Sequence, residues 1–492
     1  MNGVEVALGA AAAVLLLAVL AVRVSTRLGL PSLLVYLAIG VLIGESGLGI
    51  QFSDTPLTAA LGIAGLVLIL AEGGLTTRWP VIRPALGPGI ALATVAVAVN
   101  IAVTGWALHL LLSLDWRTAL LWGAVLSSTD AAAVFSVLRA LKVTPRLAGT
   151  LELESGINDA PVYIAVVLLA AGDPMRWWTP LLVGYELLVG AVVGVALGLA
   201  GAWALRRAAL PATGLYPLAT IAVCVLAFAA GQGLHASGFL ATYLAGLVLG
   251  NSHLPHRGDT LSFAEGLGWL AQIGLFVLLG LYASPARLPD ALIPALVVAV
   301  VLVVLARPLS VVLALTPFRV PWREQAFLSW SGLRGALPIV LALIALDMGF
   351  PGAQRLVDVV FVLVVLLTMV QGVTLTSVAR WLGLFHPEQG REMEVDSAAL
   401  DEMNAELLQV RIPRASRLHG VYLWELRLPA GTMVSLVVRD GKGFTPQPST
   451  RLEEGDQLLV VTTVGNRDRA EQRIRAVHRA GRLARWRGET GA

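Results

Sequence analysis

The stretch LAGTLELESGINDAPVYIAVVLLAAG, residues 147–172, decides how this chain is read. It is apolar enough to cross a bilayer, yet Asn158-Asp159 sits in its middle. An isolated charge at bilayer depth costs at least ~2.5–3.5 kcal/mol, so such a residue marks a functional site by default. Ser155 and Asp159 are spaced i,i+4 and project from one helix face. Glu154 and Asn158 make a second such pair, rotated by about 100°. One helix thus presents a hydroxyl and a carboxylate together, with a second carboxylate and an amide beside them. Hard alkali cations take such oxygen ligands and need no His or Cys.

Working outward, three more polar interruptions lie in apolar runs. Glu72 ends LGIAGLVLILAEGG, Thr129-Asp130 breaks LLWGAVLSSTDAAAVFSVL, and Arg334 breaks FLSWSGLRGALPIVLALIAL. A helix broken at Thr129 frees backbone carbonyls for cation binding. The dipole ends of the broken halves need partners, and Asp130 and Arg334 have suitable signs. Carboxylates and a guanidinium inside membrane spans point to handling of cations or protons.

Composition agrees. Of 492 residues, 57% are hydrophobic and only 14% charged, against about 25% charged in soluble domains. This is the composition of a polytopic membrane protein. The net charge of +3 says little at this length. The single cysteine, Cys224, excludes an intrachain disulfide. The first apolar stretch opens with an acidic MNGVEVALG and is expected to be a retained helix, not a signal peptide.

At ~20 residues per span, the apolar runs predict about thirteen helices: 3–22, 30–45, 57–75, 86–112, 117–140, 147–171, 179–205, 214–232, 236–250, 260–282, 289–315, 324–347 and 355–383. With the N-terminus outside, the inside loops carry Arg23, Arg27, Arg78, Arg83, Arg139, Lys142, Arg146, Arg206, Arg207, Arg257, Arg319 and Arg323. The outside loops then carry Arg117, Arg176, Arg287 and Arg355. That asymmetry follows the positive-inside rule and puts the C-terminus in the cytoplasm. Spans five and twelve have polar breaks, SSTD and SGLRG, seven spans apart. Paired interrupted helices in corresponding halves point to a midplane transport site built from inverted repeats.

The texture changes after residue 385. Residues 386–406 read as an acidic linker or surface helix. Residues 407–465 are soluble and β-rich, with strands at LLQVRIP, TMVSLVVRDG and DQLLVVTTV and a helix at LHGVYLWEL. Residues 466–492 form a basic helix and tail, either a solvated face or a contact with anionic lipid. Lesser candidates have bland readings. Glu152 is a helix-face residue near the inner mouth, Asn100 and His109 are packing residues, Glu265 and Gln272 are packing or funnel residues, and Arg307 snorkels at the cytoplasmic edge.

Thr129-Asp130, followed in the next span by Glu154-Ser155-Gly156-Ile157-Asn158-Asp159, resembles the NhaP branch of the cation:proton antiporter-1 family. The similarity spans nearly all of residues 1–385. It implies an NhaA-like antiporter fold with two crossing broken helices, and a homodimer working by elevator-like movement in a bacterial inner membrane. It implies Asp159 as the shared cation and proton carrier, Ser155 and Thr129 as further oxygen ligands, and Glu72 near Asn158. It also implies that Asp130 stabilises the crossing of the broken helices and that Arg334 pairs with Glu154. With Asn at 158 in place of a second Asp, one carboxylate charge is neutralised in either direction, so exchange is expected to be 1:1 and electroneutral.

The tail resembles the RCK C-terminal domain, also called TrkA-C, in Leu418-HGVYLWELRLPAGTMVSLVVRDG and Pro446-QPSTRLEEGDQLLVV. That implies a dimeric regulatory module, with cyclic di-AMP as the ligand of some relatives. No GxGxxG follows a strand, so NAD or ATP binding is not supported. Antiporters combining such a core with this module are often assigned to K⁺/H⁺ exchange, which favours K⁺ over Na⁺. The rival classes are a gated cation channel, against which stands the lack of a pore-loop sequence such as TVGYG, and a ligand sensor with a vestigial core. An enzyme is disfavoured because no nucleophile–base pair or His-rich cluster sits in the spans. Nothing in the chain suggests nucleic-acid binding.

Overall fold

A computed structural model describes residues 3–28, 31–45, 47, 49, 54–129, 144–172, 176–384, 395–400, 405–413, 416–481 and 484. The chain divides into two compact units, residues 1–254 with 261–385, and residues 386–492 with 255–260.

The larger unit is all helix. In chain order it comprises α1 (Gly3–Leu28), α2 (Ser32–Ile43), α3 (Thr55–Thr76) and α4 (Trp79–Leu112). Next come α5 (Trp116–Val125), α6 (Pro145–Ile157), α7 (Asp159–Ala171), α8 (Thr179–Arg207), α9 (Leu215–Gly233) and α10 (Gly238–Gly250). The last are α11 (Arg257–Tyr282), α12 (Leu288–Phe318), α13 (Trp322–Trp330), α14 (Ala336–Asp347) and α15 (Ala353–Trp381). Among the described residues, eight helices are long and apolar enough to cross a membrane, and four shorter ones are apolar. This is a helical polytopic membrane protein.

The run expected as one span over 324–347 is two helices, α13 and α14, parted at Ser331–Gly335. Ser331, Gly332 and Gly335 disfavour continuous helix there. The run expected over 117–140 begins as α5 and leaves helical geometry after Val125; residues 130–143, which include Asp130, lie outside the described residues. α4 and α12, themselves seven spans apart in the sequence count, each carry a π turn, at Leu92–Ala96 and Val301–Ala306.

Local chemistry starts the four helices that build the site. Asp54 caps α3 by accepting from the Leu57 amide at 3.0 Å, and Asp115 caps α5 through the Thr118 amide at 3.0 Å. Thr144 caps α6 and Ser237 caps α10 through the amides three residues on. Each cap satisfies an otherwise orphaned donor, worth ~1 kcal/mol. α3 and α10 then approach backbone to backbone: a Cβ on Gly74 would lie 2.4 Å from the Tyr243 carbonyl oxygen, and one on Gly250 would lie 2.1 Å from that of Leu75. Such small-residue contacts drive association where apolar burial cannot, because lipid is as apolar as Leu. α14 is enclosed almost completely, from Ala336 to Ala345.

The smaller unit is an antiparallel sheet in the order β1-β2-β5-β3-β4. Its strands are β1 (Val395–Leu400), β2 (Ala405–Arg411), β3 (Met433–Arg439), β4 (Lys442–Phe444) and β5 (Gln457–Thr463). Leu408 pairs with Val460, which pairs in turn with Val434. Leu408, Val410, Leu458 and Val460 alternate onto one buried face. The stretch expected to be a linker, 386–406, contains β1, paired from Val395↔Val410 to Leu400↔Ala405. An edge strand is held by backbone hydrogen bonds, so its polar composition hides it from an apolar pattern. LHGVYLWEL is not a helix: Gly420 takes a positive φ of 82°, and only Leu423–Leu426 forms a short 3-10 turn. α16 (Arg467–Ala480) is more than a solvated basic helix, because its stripe Ala470, Ile474 and Val477 is buried in the core of this unit.

Candidate functional site

The stretch 147–172 folds as α6 and α7 with Asn158 at the junction. Pro161 has no amide to return to the Ile157 carbonyl, which weakens the ladder at that point. The Asn158 amide still reaches the Glu154 carbonyl at 2.9 Å, so the two halves remain in line. The polar residues around the junction are buried: Asn158 is 0% exposed, Glu154 1%, Ser155 3% and Asp159 7%.

Thr129, in the turn that follows α5, meets them from another element. Asn158 Nδ2 donates to Thr129 Oγ1 at 2.6 Å, and Thr129 Oγ1 lies 3.4 Å from Ser155 Oγ. Thr129, Ser155 and Asp159 line a cavity of about 50 Å³. At ~10–15 Å³ for each water-sized occupant, it has room for a few water molecules or a partly hydrated ion. Its far wall is Gly335-Ala336-Leu337-Pro338, the break and first turn of α14. A helix start carries partial positive charge and unsatisfied amides, so this wall is electrostatically favourable beside the Asp159 carboxylate.

The structure brings together Thr129, Ser155, Asn158 and Asp159. Glu72 packs elsewhere: its Cγ would meet a Cβ on Gly268 of α11 at 3.0 Å, and it is not among the residues lining the cavity. Asn158 does not line the cavity either, and works by fixing the Thr129 hydroxyl.

The expected pairing of Glu154 with Arg334 is corrected. Glu154 Oε1 is held by Arg307 Nη1 at 2.5 Å. Arg307 is 5% exposed, so it does not snorkel at an edge; it follows the π turn of α12, and its Nη2 also donates to the Leu328 carbonyl at 3.2 Å. Arg334 is 2% exposed and donates through Nη1 to the Ser128 carbonyl. It thereby ties the break between α13 and α14 to the carbonyl end of α5, opposite in sign to its own charge. Both Glu154 and Arg307 lie close enough for their charges to act on Arg334.

Further residues line the cavity: Glu152 and Gln272, expected as a helix-face residue near the inner mouth and a packing or funnel residue, and Tyr243 and Thr77, which carried no expectation. Glu152, Gly156 and Asp159 follow an i, i+4, i+7 spacing, which does carry a signal for one helix face. Tyr243 lies in the apolar run FLATYLAGLVLG and carries none.

The family described as sodium/hydrogen exchanger, transmembrane, matches residues 12–381. The chain belongs to the sodium/hydrogen exchanger family. The TrkA-C domain matches residues 407–475, past the expected boundary at 465 and into α16. This exchanger-family chain is 37% identical over 456 residues to the K(+)/H(+) antiporter NhaP of Alkalimonas amylolytica, covering 91% of this chain and 79% of that protein. It is likewise 37% identical over 447 residues to the K(+)/H(+) antiporter NhaP2 of Shewanella baltica (strain OS223), covering 89% and 77%. These relatives are transporters, not enzymes. In fold it is similar to the sodium proton antiporter MjNhaP1 of Methanocaldococcus jannaschii, with a TM-score of 0.69 at 24% identity, covering 78% of this chain and 100% of that one.

Proposed function

We propose that this chain exchanges a monovalent cation, K⁺ in the first place, for H⁺ across a bacterial inner membrane, with Asp159 carrying either one but never both. The observation that carries this reading is the buried Asp159 carboxylate, sharing a small cavity with the Thr129 and Ser155 hydroxyls beneath the broken α13–α14 pair. Cation and proton compete for one carboxylate, and that competition couples their fluxes. One charge is neutralised in either direction, so the cycle is 1:1 and electroneutral. K⁺ is favoured because the two relatives at 37% identity are K(+)/H(+) antiporters. Na⁺ is the second reading, supported by the likeness to a sodium proton antiporter.

Further parts of the proposal are a core of thirteen spans in inverted repeats, an NhaA-like arrangement, a homodimer and elevator-type movement. The π turns shared by α4 and α12, and the seven-span offset of the breaks, support the repeat. The basic loop residues support an N-terminus outside and a C-terminus inside. Within the site, Thr129 and Ser155 serve as cation ligands, Asn158 fixes Thr129, Asp130 stabilises the crossing, and Glu72 acts from α3 at the margin. The TrkA-C domain regulates exchange, with cyclic di-AMP the first ligand to try. The deciding experiment measures proton flux in liposomes driven by Na⁺, K⁺, Rb⁺ and Li⁺ at several pH values, with Asp159→Asn beside the native protein. Substantial cation-driven flux from a folded Asp159→Asn protein overturns the mechanism.

A further inference from the structure

The cavity that reaches Asp159 continues past it. Its other polar lining includes Glu152 of α6, Tyr243 of α10, Thr77 and Gln272. Tyr243 is 2% exposed, and its hydroxyl lies in hydrogen-bond reach of the Thr77 side chain and close to the Glu152 carboxylate. Glu152 Oε2 is a buried oxygen that accepts no hydrogen bond among the described residues. Leaving a buried polar group unmatched costs ~1–3 kcal/mol, so the unmatched oxygen of Glu152, a residue of the cavity lining, calls for an occupant. Thr77 Oγ1 spends its proton on the Gly73 carbonyl at 2.7 Å, which leaves its lone pairs available. A Cβ on Gly156 would lie 2.4 Å from the Tyr243 ring, so glycine at 156 is what admits this ring between Glu152 and Asp159.

We propose that Glu152, Tyr243 and Thr77 form a second cation site, a waiting position that loads the cation before it reaches Asp159. This rests on the reading of Asp159 as the carrier. The donors are a carboxylate and two hydroxyls, an all-oxygen set suited to an alkali cation that keeps part of its hydration shell. Seven residues of helix separate the two carboxylates along α6 and α7, about 10 Å of rise, so the sites are distinct but share one cavity. Arg78, exposed at the start of α4, acts on Glu152 from the far side and supplies a counter-charge while the site is empty. Among the described residues, the titratable and charged groups that act on Glu152 are Arg78 and Tyr243, and Asp159 lines the same cavity.

The test compares full-length Glu152→Gln, Glu152→Asp, Tyr243→Phe and Asp159→Asn proteins in liposomes, with proton flux driven by graded K⁺, Rb⁺ and Na⁺ at fixed pH. Glu152→Gln should raise the half-saturating cation concentration about tenfold, equivalent to ~1.4 kcal/mol, with maximal rate kept. Glu152→Asp should restore most of the affinity, and Tyr243→Phe should raise half-saturation about threefold. Tyr243→Phe decides the matter if Glu152→Gln does not fold. Unchanged half-saturation, or a fall in maximal rate alone, overturns the waiting site. Those results with an inactive Asp159→Asn protein remove this inference only, whereas an active Asp159→Asn protein removes the underlying reading as well.

Discussion

Arg307 and Glu154 form an ion pair in the middle of the helical core, both almost fully buried and 2.5 Å apart. At an effective dielectric of ~20 their direct attraction is ~7 kcal/mol, most of it offset by the desolvation of both ions. The net worth of the pair is therefore small, and the damage comes from breaking it. Arg307→Met should leave the Glu154 carboxylate buried without its cation, costing ~3–5 kcal/mol. By the scaling of soluble domains, the melting temperature should fall by roughly 5–10 °C. Arg307→Met combined with Glu154→Gln should recover most of that loss, because no charge is then stranded. The assay is thermal unfolding of detergent-purified native, single and double variants, read as a double-mutant cycle. A parallel cycle on Glu154 and Arg334 gives the comparison, since Arg334 is tied to the Ser128 carbonyl. The reasoning fails if the Glu154–Arg307 coupling is under ~0.5 kcal/mol, or if the Glu154–Arg334 coupling exceeds it.

Gly156→Val should inhibit exchange strongly while Gly156→Ala inhibits less, because any Cβ there meets the Tyr243 ring; Tyr243→Leu in the Gly156→Ala background should relieve the block, and flux assays check both. Exchange driven by Na⁺ or Li⁺ should not respond to a voltage set with K⁺ and valinomycin, since moving one net charge would add ~2.3 kcal/mol per 100 mV; a severalfold response refutes one-for-one exchange. Removal of the chain beyond about residue 390 should leave exchange intact but shift its rate or pH profile, and cyclic di-AMP should alter flux only when the tail is attached. A regulator can move the core only by its differential affinity for two states, so an unchanged profile with no ligand effect would reduce the tail to a structural clasp.

The sequence by itself determined the membrane class, the family and which polar residues are buried at the centre of the bundle. Apolar runs of span length cannot be hidden in a soluble fold, and Ser155, Asn158 and Asp159 stand out because polar atoms in such runs are expensive. Helix periodicity also fixed which of them share a face. The end of α5 and the break between α13 and α14 were legible from small and polar residues at 127–129 and 331–335. Other features depended on the tertiary structure. Whether Arg307 or Arg334 holds Glu154 is a question of which helix packs beside α6, and two arginines in apolar runs look alike to any local pattern. Glu72 points to Gly268 because of the rotation of α3, which a single charge in a run does not reveal. Tyr243 reaches the cavity only because α3 and α10 meet at glycines and because position 156 has no side chain. β1 was hidden for a related reason: its place in the sheet is held by backbone hydrogen bonds to β2, and these leave no mark on composition. Periodicity reports the face a residue occupies on its own element, while the partner it meets there is set by long-range packing.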